Sequence, residues 1–248
     1  LMLVAVVVGV VNYLNFSQRF KQNVANQLET VANLKASDLV SWRAERLSDA
    51  RYLQTSDAFC KLVQKYLKDS SSKNARLELG KFAGQLLASH DYDLFLVNRN
   101  GKLDFASSQH PENLSSLVTN VVKNKVEANK QLFIDFYQNE VSKRVFISIM
   151  FPIRQGLSYT TQNVVGILRI DPSIDLFPRL ERWPIPFQTA KILLLRRDGD
   201  SMLVLNRTKA DSSFGLKMPI SAKNARGEGS YFYTGSNVWT MNINGQPY

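Results

Sequence analysis

Between Gln131 and Asp171 the sequence alternates in a manner that fits a β-sheet with two unlike faces. In the middle of the stretch, Val145, Ile147, Ile149 and Phe151 alternate with Arg144, Phe146, Ser148 and Met150. Successive side chains on a strand point to opposite sides, so one face is wholly apolar and the other mixed. The flanking segments repeat the pattern: Leu132, Ile134 and Phe136 against Phe133, Asp135 and Tyr137, then Val164, Leu168 and Ile170 against Val165, Ile167, Arg169 and Asp171.

Three antiparallel strands of this kind leave two arrangements open. Either the mixed face is covered and encloses a small-ligand pocket, or it lies in water with its charges paired. A solvated face is expected to carry Thr, Lys, Glu and Ser, whereas here Phe133, Tyr137, Phe146, Met150 and Ile167 occupy it. Such side chains need a cover, and residues 107–130 are the segment placed to supply one. On the first arrangement the ligand-binding candidates are Phe133, Asp135, Tyr137, Arg144, Phe146, Ser148, Arg169 and Asp171. On the second, Arg169 with Asp171, or Asp135 with Arg144, form ordinary ion pairs.

A chain of 248 residues has room for two modules, and at 44% hydrophobic it can fold. The net charge of +10 comes from scattered Lys and Arg without a block of five, so the composition points away from nucleic acid. Cys60 is the single cysteine, which excludes an intramolecular disulfide. From Leu1 to Gln18 there is no charge, and Leu1 to Val11 is almost unbroken Val, Leu and Ala. A spanning helix needs about 20 apolar residues, so this run reads as the end of a transmembrane helix whose first turns precede the chain. A signal peptide is the rival reading, but Asn15-Phe16-Ser17-Gln18 is a poor cleavage site.

Phe20 to Leu53 has no Pro or Gly, and Val24, Leu28, Val31, Leu39, Trp42 and Leu53 fall near one helical face, interrupted by Lys35 and Arg46. A helix of about 30 residues is predicted here, a stalk that becomes the spine of a domain and pairs with a second copy. Ser56 or Asp57 caps the next helix, with Phe59, Leu62, Val63, Tyr66 and Leu67 on one face. After the Ser-rich loop at 69–74, Leu79, Phe82, Ala83, Leu86 and Leu87 mark a third. Arg99-Asn100-Gly101 turns a hairpin, and a helix is predicted near Glu112 to Ala128 before the three strands. Asp171-Pro172-Ser173 caps a short helix with Leu176, Phe177 and Leu180, broken at Trp183-Pro184-Ile185-Pro186.

An internal repeat follows. Leu96-Val97-Asn98-Arg99-Asn100-Gly101 and Leu194-Leu195-Arg196-Arg197-Asp198-Gly199 are the same hairpin at two places, and Ser230-Tyr231-Phe232-Tyr233 stands where Phe133 to Tyr137 stood. The fold class expected is α+β: a long N-terminal stalk helix, then two tandem modules with antiparallel sheets, the second cut short after Asn244-Gly245. The expected division is 1–18 as the end of a membrane helix, 19–90 as stalk and helical spine, 91–171 as a membrane-distal module, 172–190 as a linker helix and 191–248 as a membrane-proximal module.

Catalytic chemistry has little to stand on. Ser89-His90-Asp91 is a run of neighbours, whereas triads are assembled from separate elements, and neither His90 nor His110 has further ligands at metal spacing. Gly227-Glu228-Gly229 is too short for a phosphate loop, and no Glu closes Asp198-Gly199-Asp200 as a calcium loop. No catalytic residue, metal or cofactor is expected.

The order of anchor, stalk helix and two hairpin-helix-sheet modules resembles the double Cache (PAS-like) sensor domain of bacterial transmembrane receptors. The stretch Leu34-Lys35-Ala36-Ser37-Asp38-Leu39-Val40-Ser41-Trp42-Arg43-Ala44-Glu45-Arg46-Leu47 is similar to that family's stalk helix, with a Trp ahead of a Glu-Arg pair. Trp183-Pro184 through Arg197-Asp198-Gly199-Asp200 to Leu205-Asn206 is similar to Cache domains that precede histidine kinase or diguanylate cyclase outputs. The resemblance, from about Val24 onward, implies a PAS-like fold and a periplasmic sensor on the bacterial inner membrane, not an enzyme. It further implies a small-molecule ligand in the distal module, and a homodimer. Members that bind amino acids carry an Arg, Trp and paired Tyr series; here Phe146 follows Arg144 and no Trp lies in the distal strands, so those residues are not carried over.

Overall fold

Five strands in the order β2-β1-β5-β4-β3 make the antiparallel sheet that organises the better-packed part of the chain. In the computed structural model, residues 2–87, 92–108, 111–125, 130–153, 164–182, 192–199, 201–206, 217–219, 231–235 and 238–242 are described. Two compact units divide the chain, one of Leu1–Val40 with Leu180–Tyr248, the other Ser41–Arg179.

Helix α1 runs unbroken over Met2–Thr55, longer than the predicted stalk because the apolar opening continues it without a Pro. Its stripe is real: Val31, Trp42 and Leu53 are buried, and Lys35 and Arg46 are buried with them. Ser56 caps α2 (Asp57–Lys68), its hydroxyl accepting from the Phe59 amide at 3.3 Å. Helix α3 (Lys73–Leu87) follows. Strands β1 (Tyr92–Asn98) and β2 (Leu103–Ala106) form the first hairpin around Gly101, whose φ of +80° suits a residue without a Cβ.

Helix α4 spans Ser116–Lys125 and so starts four residues later than predicted. The reason is local competition. Ser115 accepts from the Leu117 amide at 3.2 Å and caps the helix, while Glu112 is drawn away by Arg144. The sheet is completed by β3 (Leu132–Gln138), β4 (Val145–Pro152) and β5 (Val164–Ile170), and helix α5 (Leu176–Glu181) follows the Asp171-Pro172-Ser173 turn.

All eight residues of β4 are buried, so the sheet is covered on both faces and the arrangement with one face in water is excluded. On the apolar face, Phe59 of α2 stacks on Phe82 of α3 at 5.7 Å and meets Phe151 of β4 at 6.5 Å. Phe59 and Phe151 are fully buried, and each contributes roughly 1.5–3 kcal/mol. Gly166, opposite Phe151 in the ladder, leaves room for that ring: a Cβ there would sit 2.5 Å from it. On the mixed face, Val118 and Val122 of α4 pack onto Phe95, Val97, Tyr137, Phe146, Met150, Val165 and Ile167. The expected cover is therefore α4 and the segment leading into it.

Strand β3 departs from simple alternation. It pairs Leu132↔Met150, Phe133↔Ile149 and Ile134↔Ser148, but then Tyr137↔Phe146, one residue out of step. A bulge between Ile134 and Tyr137 absorbs one residue, and each residue before it moves to the opposite face from the one alternation assigns. Leu132 and Ile134 thus pack with the mixed face, and Phe133 belongs to the other.

The unit of Leu1–Val40 with Leu180–Tyr248 carries β6 (Leu195–Asp198), β7 (Ser201–Val204) and β8 (Lys217–Pro219) as one antiparallel sheet, and β9 (Tyr231–Gly235) with β10 (Val238–Asn242) as another. The repeated hairpin is visible in the backbone, with Gly199 at φ +61° in the place of Gly101. Its base is pinned alike: the Leu94 amide donates to Ser107 Oγ at 2.9 Å, the Leu194 amide to Asn206 Oδ1 at 2.6 Å. Strands β8 and β10 are ones the sequence reading did not assign. The breaks at 183–186, 227–229 and 244–248, and both histidines, lie outside the described residues.

Candidate ligand-binding site

A cleft of about 250 Å³ opens at the mixed face, lined by Tyr92, Asp93, Arg144, Phe146, Arg169, Asp171 and Ile174. Its foundation is Arg169, 3% exposed on the central strand β5. The guanidinium lies 4.6 Å from the Phe95 ring and 4.5 Å from the Phe146 ring. It donates through Nη2 to Asp93 Oδ2 at 2.7 Å and through Nη1 to the Glu112 carbonyl at 3.2 Å. Asp93 and Arg169 are direct cross-strand partners, so the pairing is written into the ladder. Nε of Arg169 is buried with no hydrogen-bond partner. A buried charge with an unused donor is costly unless something completes it.

Arg144, just before β4, is about half exposed and stands at the mouth. Its Nη1 donates to Glu112 Oε1 at 2.6 Å and its Nη2 to Asp171, and its guanidinium lies 5.3 Å from the Phe146 ring. Glu112, on the covering segment, thus contacts both arginines of the cleft, Arg144 through its carboxylate and Arg169 through its carbonyl. Burial works against its charge, but bonds from Ser142 and Arg144 outweigh that, and its carboxyl is held below the ordinary glutamate value. Its Oε2 is buried and has no hydrogen-bond partner.

The covering segment is pinned to the turn between β3 and β4. Asn139 donates to the Asn113 carbonyl at 2.7 Å, and Glu140 Oε1 accepts from Ser116 Oγ at 2.6 Å, Ser115 Oγ at 2.8 Å and the Ser116 amide at 3.1 Å. These bonds, that of the Ser116 hydroxyl foremost, hold the Glu140 pKa at about 2, against an ordinary 4.5. A depressed carboxyl contributes stability above its unfolded pKa and loses it as pH falls through the folded one. Glu140→Gln is accordingly expected to lower the melting temperature at neutral pH. The gap to the wild type should narrow below about pH 4.5 and vanish near pH 2. A gap that persists at pH 2 would show that the carboxylate does not hold the cover.

Of the eight residues singled out from sequence, Arg144, Phe146, Arg169 and Asp171 line the cleft. Tyr137 and Ser148 lie beneath it, bonded to each other at 2.7 Å; burial pushes the Tyr137 phenol up to about 12. Phe133 and Asp135 do not take part, and the bulge is the reason. Phe133 faces the other way, its ring 4.8 Å from the Arg43 guanidinium, and Asp135 is exposed at the bulge itself. The ion pairs also differ from those expected: Arg144 takes Asp171 and Glu112, and Arg169 takes Asp93. Sequence reasoning passed over Tyr92, Asp93, Glu112 and Ile174. A lone Asp in the apolar run of β1 was a signal for Asp93; nothing local marks Glu112. Among the described residues no group of three or more His, Cys, Asp and Glu is placed to hold a metal.

The fold, a long N-terminal helix followed by an antiparallel sheet, is similar to that of Cache/PAS-like sensor domains. The ligand-binding domain of the Pseudomonas fluorescens chemoreceptor CtaA, solved with L-serine, is similar over 89% of this chain and 96% of that one, at 11% identity and a TM-score of 0.50. The Campylobacter jejuni chemoreceptor Tlp3 sensory domain, with isoleucine bound, matches 67% of this chain and 66% of that one at 15% identity and TM-score 0.47. The V. cholerae histidine kinase DctB sensor domain matches 61% and 57%, at 11% identity and TM-score 0.44. The chain thus spans less than two thirds of the length of the DctB and Tlp3 domains. No family model matches the sequence, and no curated protein does.

Proposed function

We propose that the chain is the extracytoplasmic sensing domain of a membrane-bound bacterial receptor. It takes a small charged ligand in the cleft of the Ser41–Arg179 unit and passes occupancy along α1 to a cytoplasmic output domain. The observation that carries the reading is the buried Arg169, clamped by two rings beside an open cleft with its Nε unpartnered and an open acceptor on Glu112. A ligand offering both an anionic and a cationic group would complete both; amino acids are such ligands, and the CtaA and Tlp3 domains were solved with them. Membrane attachment through the first turns of α1 rests on their exposed Leu3, Val4, Val6, Val7, Val8, Val10 and Val11. Among the described residues no helix is long and apolar enough to cross a membrane. Periplasmic placement in the inner membrane and a homodimer through α1 belong to the same proposal.

A second reading, a structural or dimerisation ectodomain without a ligand, is favoured by the pairing of both arginines with carboxylates inside the protein. A thermal-shift screen of amino acids, organic acids, amines and purines separates the two. A ligand at about a hundred times its Kd stabilises the folded state by about 2.7 kcal/mol, which raises Tm by roughly 5–11 °C at this size. Arg144→Ala is expected to abolish the rise at little cost in stability, because an exposed ion pair contributes about 0–1 kcal/mol. Lys61→Ala, on the exposed side of α2, is expected to leave it unchanged. If no compound moves the wild-type Tm by a degree, the structural reading stands.

A further inference from the structure

Trp42, Arg46 and Asp49 lie four and three residues apart on α1 and so share one face of that helix. Asp49 and Arg46 touch a wall of the cleft, and Trp42 a residue next to another. Tyr92, which lines it, donates its hydroxyl to Asp49 Oδ2 at 2.5 Å. Trp42 donates its indole N–H to Asp175 Oδ2 at 3.1 Å, and Asp175 follows directly on Ile174, another lining residue. Arg46 sits between, 4% exposed, its guanidinium 5.5 Å from the Tyr92 ring and 5.8 Å from the Trp42 ring, with Nη2 on Glu45 at 3.1 Å.

Most of this stripe is apolar, with Lys35 the other buried charge, and an apolar residue at position 46 would pack there without the cost of burying a charge. What the charge does is shown by one oxygen. Asp49 Oδ2 is taken by the Tyr92 hydroxyl, while Arg46 Nε stands 3.7 Å from the same oxygen, buried and without a hydrogen bond. One acceptor faces two donors: it is hydrogen-bonded to Tyr92 and only ion-paired, at the longer distance, with Arg46. Burial, with the Asp49 bond, raises the Tyr92 pKa far above the ordinary phenol value, so the hydroxyl keeps its proton to donate.

We infer that Arg46 and Asp49 are positioning residues for the cleft, forming a two-state contact in which Asp49 is held either by Tyr92 or by Arg46. This deepens the sensor reading and rests on it. A ligand acceptor that draws the Tyr92 hydroxyl toward itself frees Asp49, which closes on Arg46 Nε; the cleft wall and the helix turn at 46–49 change together. A ligand shifts such an equilibrium only by preferring one arrangement, and this pair of arrangements supplies the difference. The orphaned Nε makes the second arrangement accessible, because it recovers there the hydrogen bond it lacks in the first.

Tyr92→Phe reproduces the released arrangement with no ligand present, so the test stands apart from the ligand screen. Hydrogen exchange of the Arg46 Nε proton in the full chain, read by nitrogen-15 NMR and assigned by its loss in Arg46→Lys, is expected to slow at least tenfold in Tyr92→Phe. In the double variant Tyr92→Phe/Asp49→Asn the slowing should be largely lost, since an amide is a weaker acceptor than a carboxylate. If the Nε proton exchanges at the wild-type rate or faster in Tyr92→Phe, Asp49 does not change partners and the inference fails. Slowing that is as large in the double variant overturns it equally, because Asp49 is then not the acceptor. A blank ligand screen beside the expected NMR result would refute the ligand and leave the contact.

Discussion

Trp42→Ala is expected to destabilise the protein by about 3–5 kcal/mol, among the larger losses a single core substitution causes. The indole is 3% exposed, donates to Asp175 and lies beside the Arg46 guanidinium. Truncation removes the ring's burial, leaves a cavity and takes away a donor from Asp175. Trp42→Phe separates these contributions: it keeps most of the volume and loses the N–H, so about 1 kcal/mol is expected from the bond, plus the smaller packing loss. Urea denaturation followed by far-ultraviolet circular dichroism gives both values. A midpoint unchanged in Trp42→Ala would mean that the residue does not pack where it stands, and that the helix faces elsewhere.

The second large effect is expected at Asp93. Asp93→Ala leaves Arg169 buried between two rings with the Glu112 carbonyl as its remaining hydrogen-bond partner. Stranding one member of a buried pair typically costs about 3–5 kcal/mol, and since the Asp93 side chain is 34% exposed the lower end applies. Replacing both members by apolar residues of similar volume, in Asp93→Leu/Arg169→Met, is expected to recover more than half of that loss, because no uncompensated charge remains. Equal destabilisation of the single and double variants would place the cost in packing instead of charge.

These expectations depend on features that differ in how far the sequence reveals them. The faces of β4 and β5 are legible because each strand is regular, and a period of two carries from end to end. The hairpins at Gly101 and Gly199 are legible for a similar reason: a turn needing a positive φ demands a small set of residues. The faces of β3 are not legible, since nothing in Leu132-Phe133-Ile134-Asp135-Phe136-Tyr137 announces where the extra residue is absorbed. That single unread bulge placed Phe133 and Asp135 in the cleft. The ion pairs were misjudged for a different reason. Arg144 finds Glu112 at a separation of 32 residues and Arg169 finds Asp93 at 76, so their partners are set by strand order and by the course of the covering segment. Local pattern fixes which face a side chain takes; only the assembled sheet decides whom it meets there.

The bulge has an effect beyond the cleft. Strand β3 is the last of the five, and among the described residues nothing pairs with its outer side. A terminal strand with a regular row of free N–H and C=O groups is a template on which another chain can add itself. Here the row is broken midway, where the ladder slips by one residue and Asp135 stands exposed. At the opposite border β2 is four residues long, too short to offer much of a template. Both borders are thus poor substrates for strand addition. A sheet with such borders can meet other copies of the chain at high local concentration without fusing with them into a continuous β-structure.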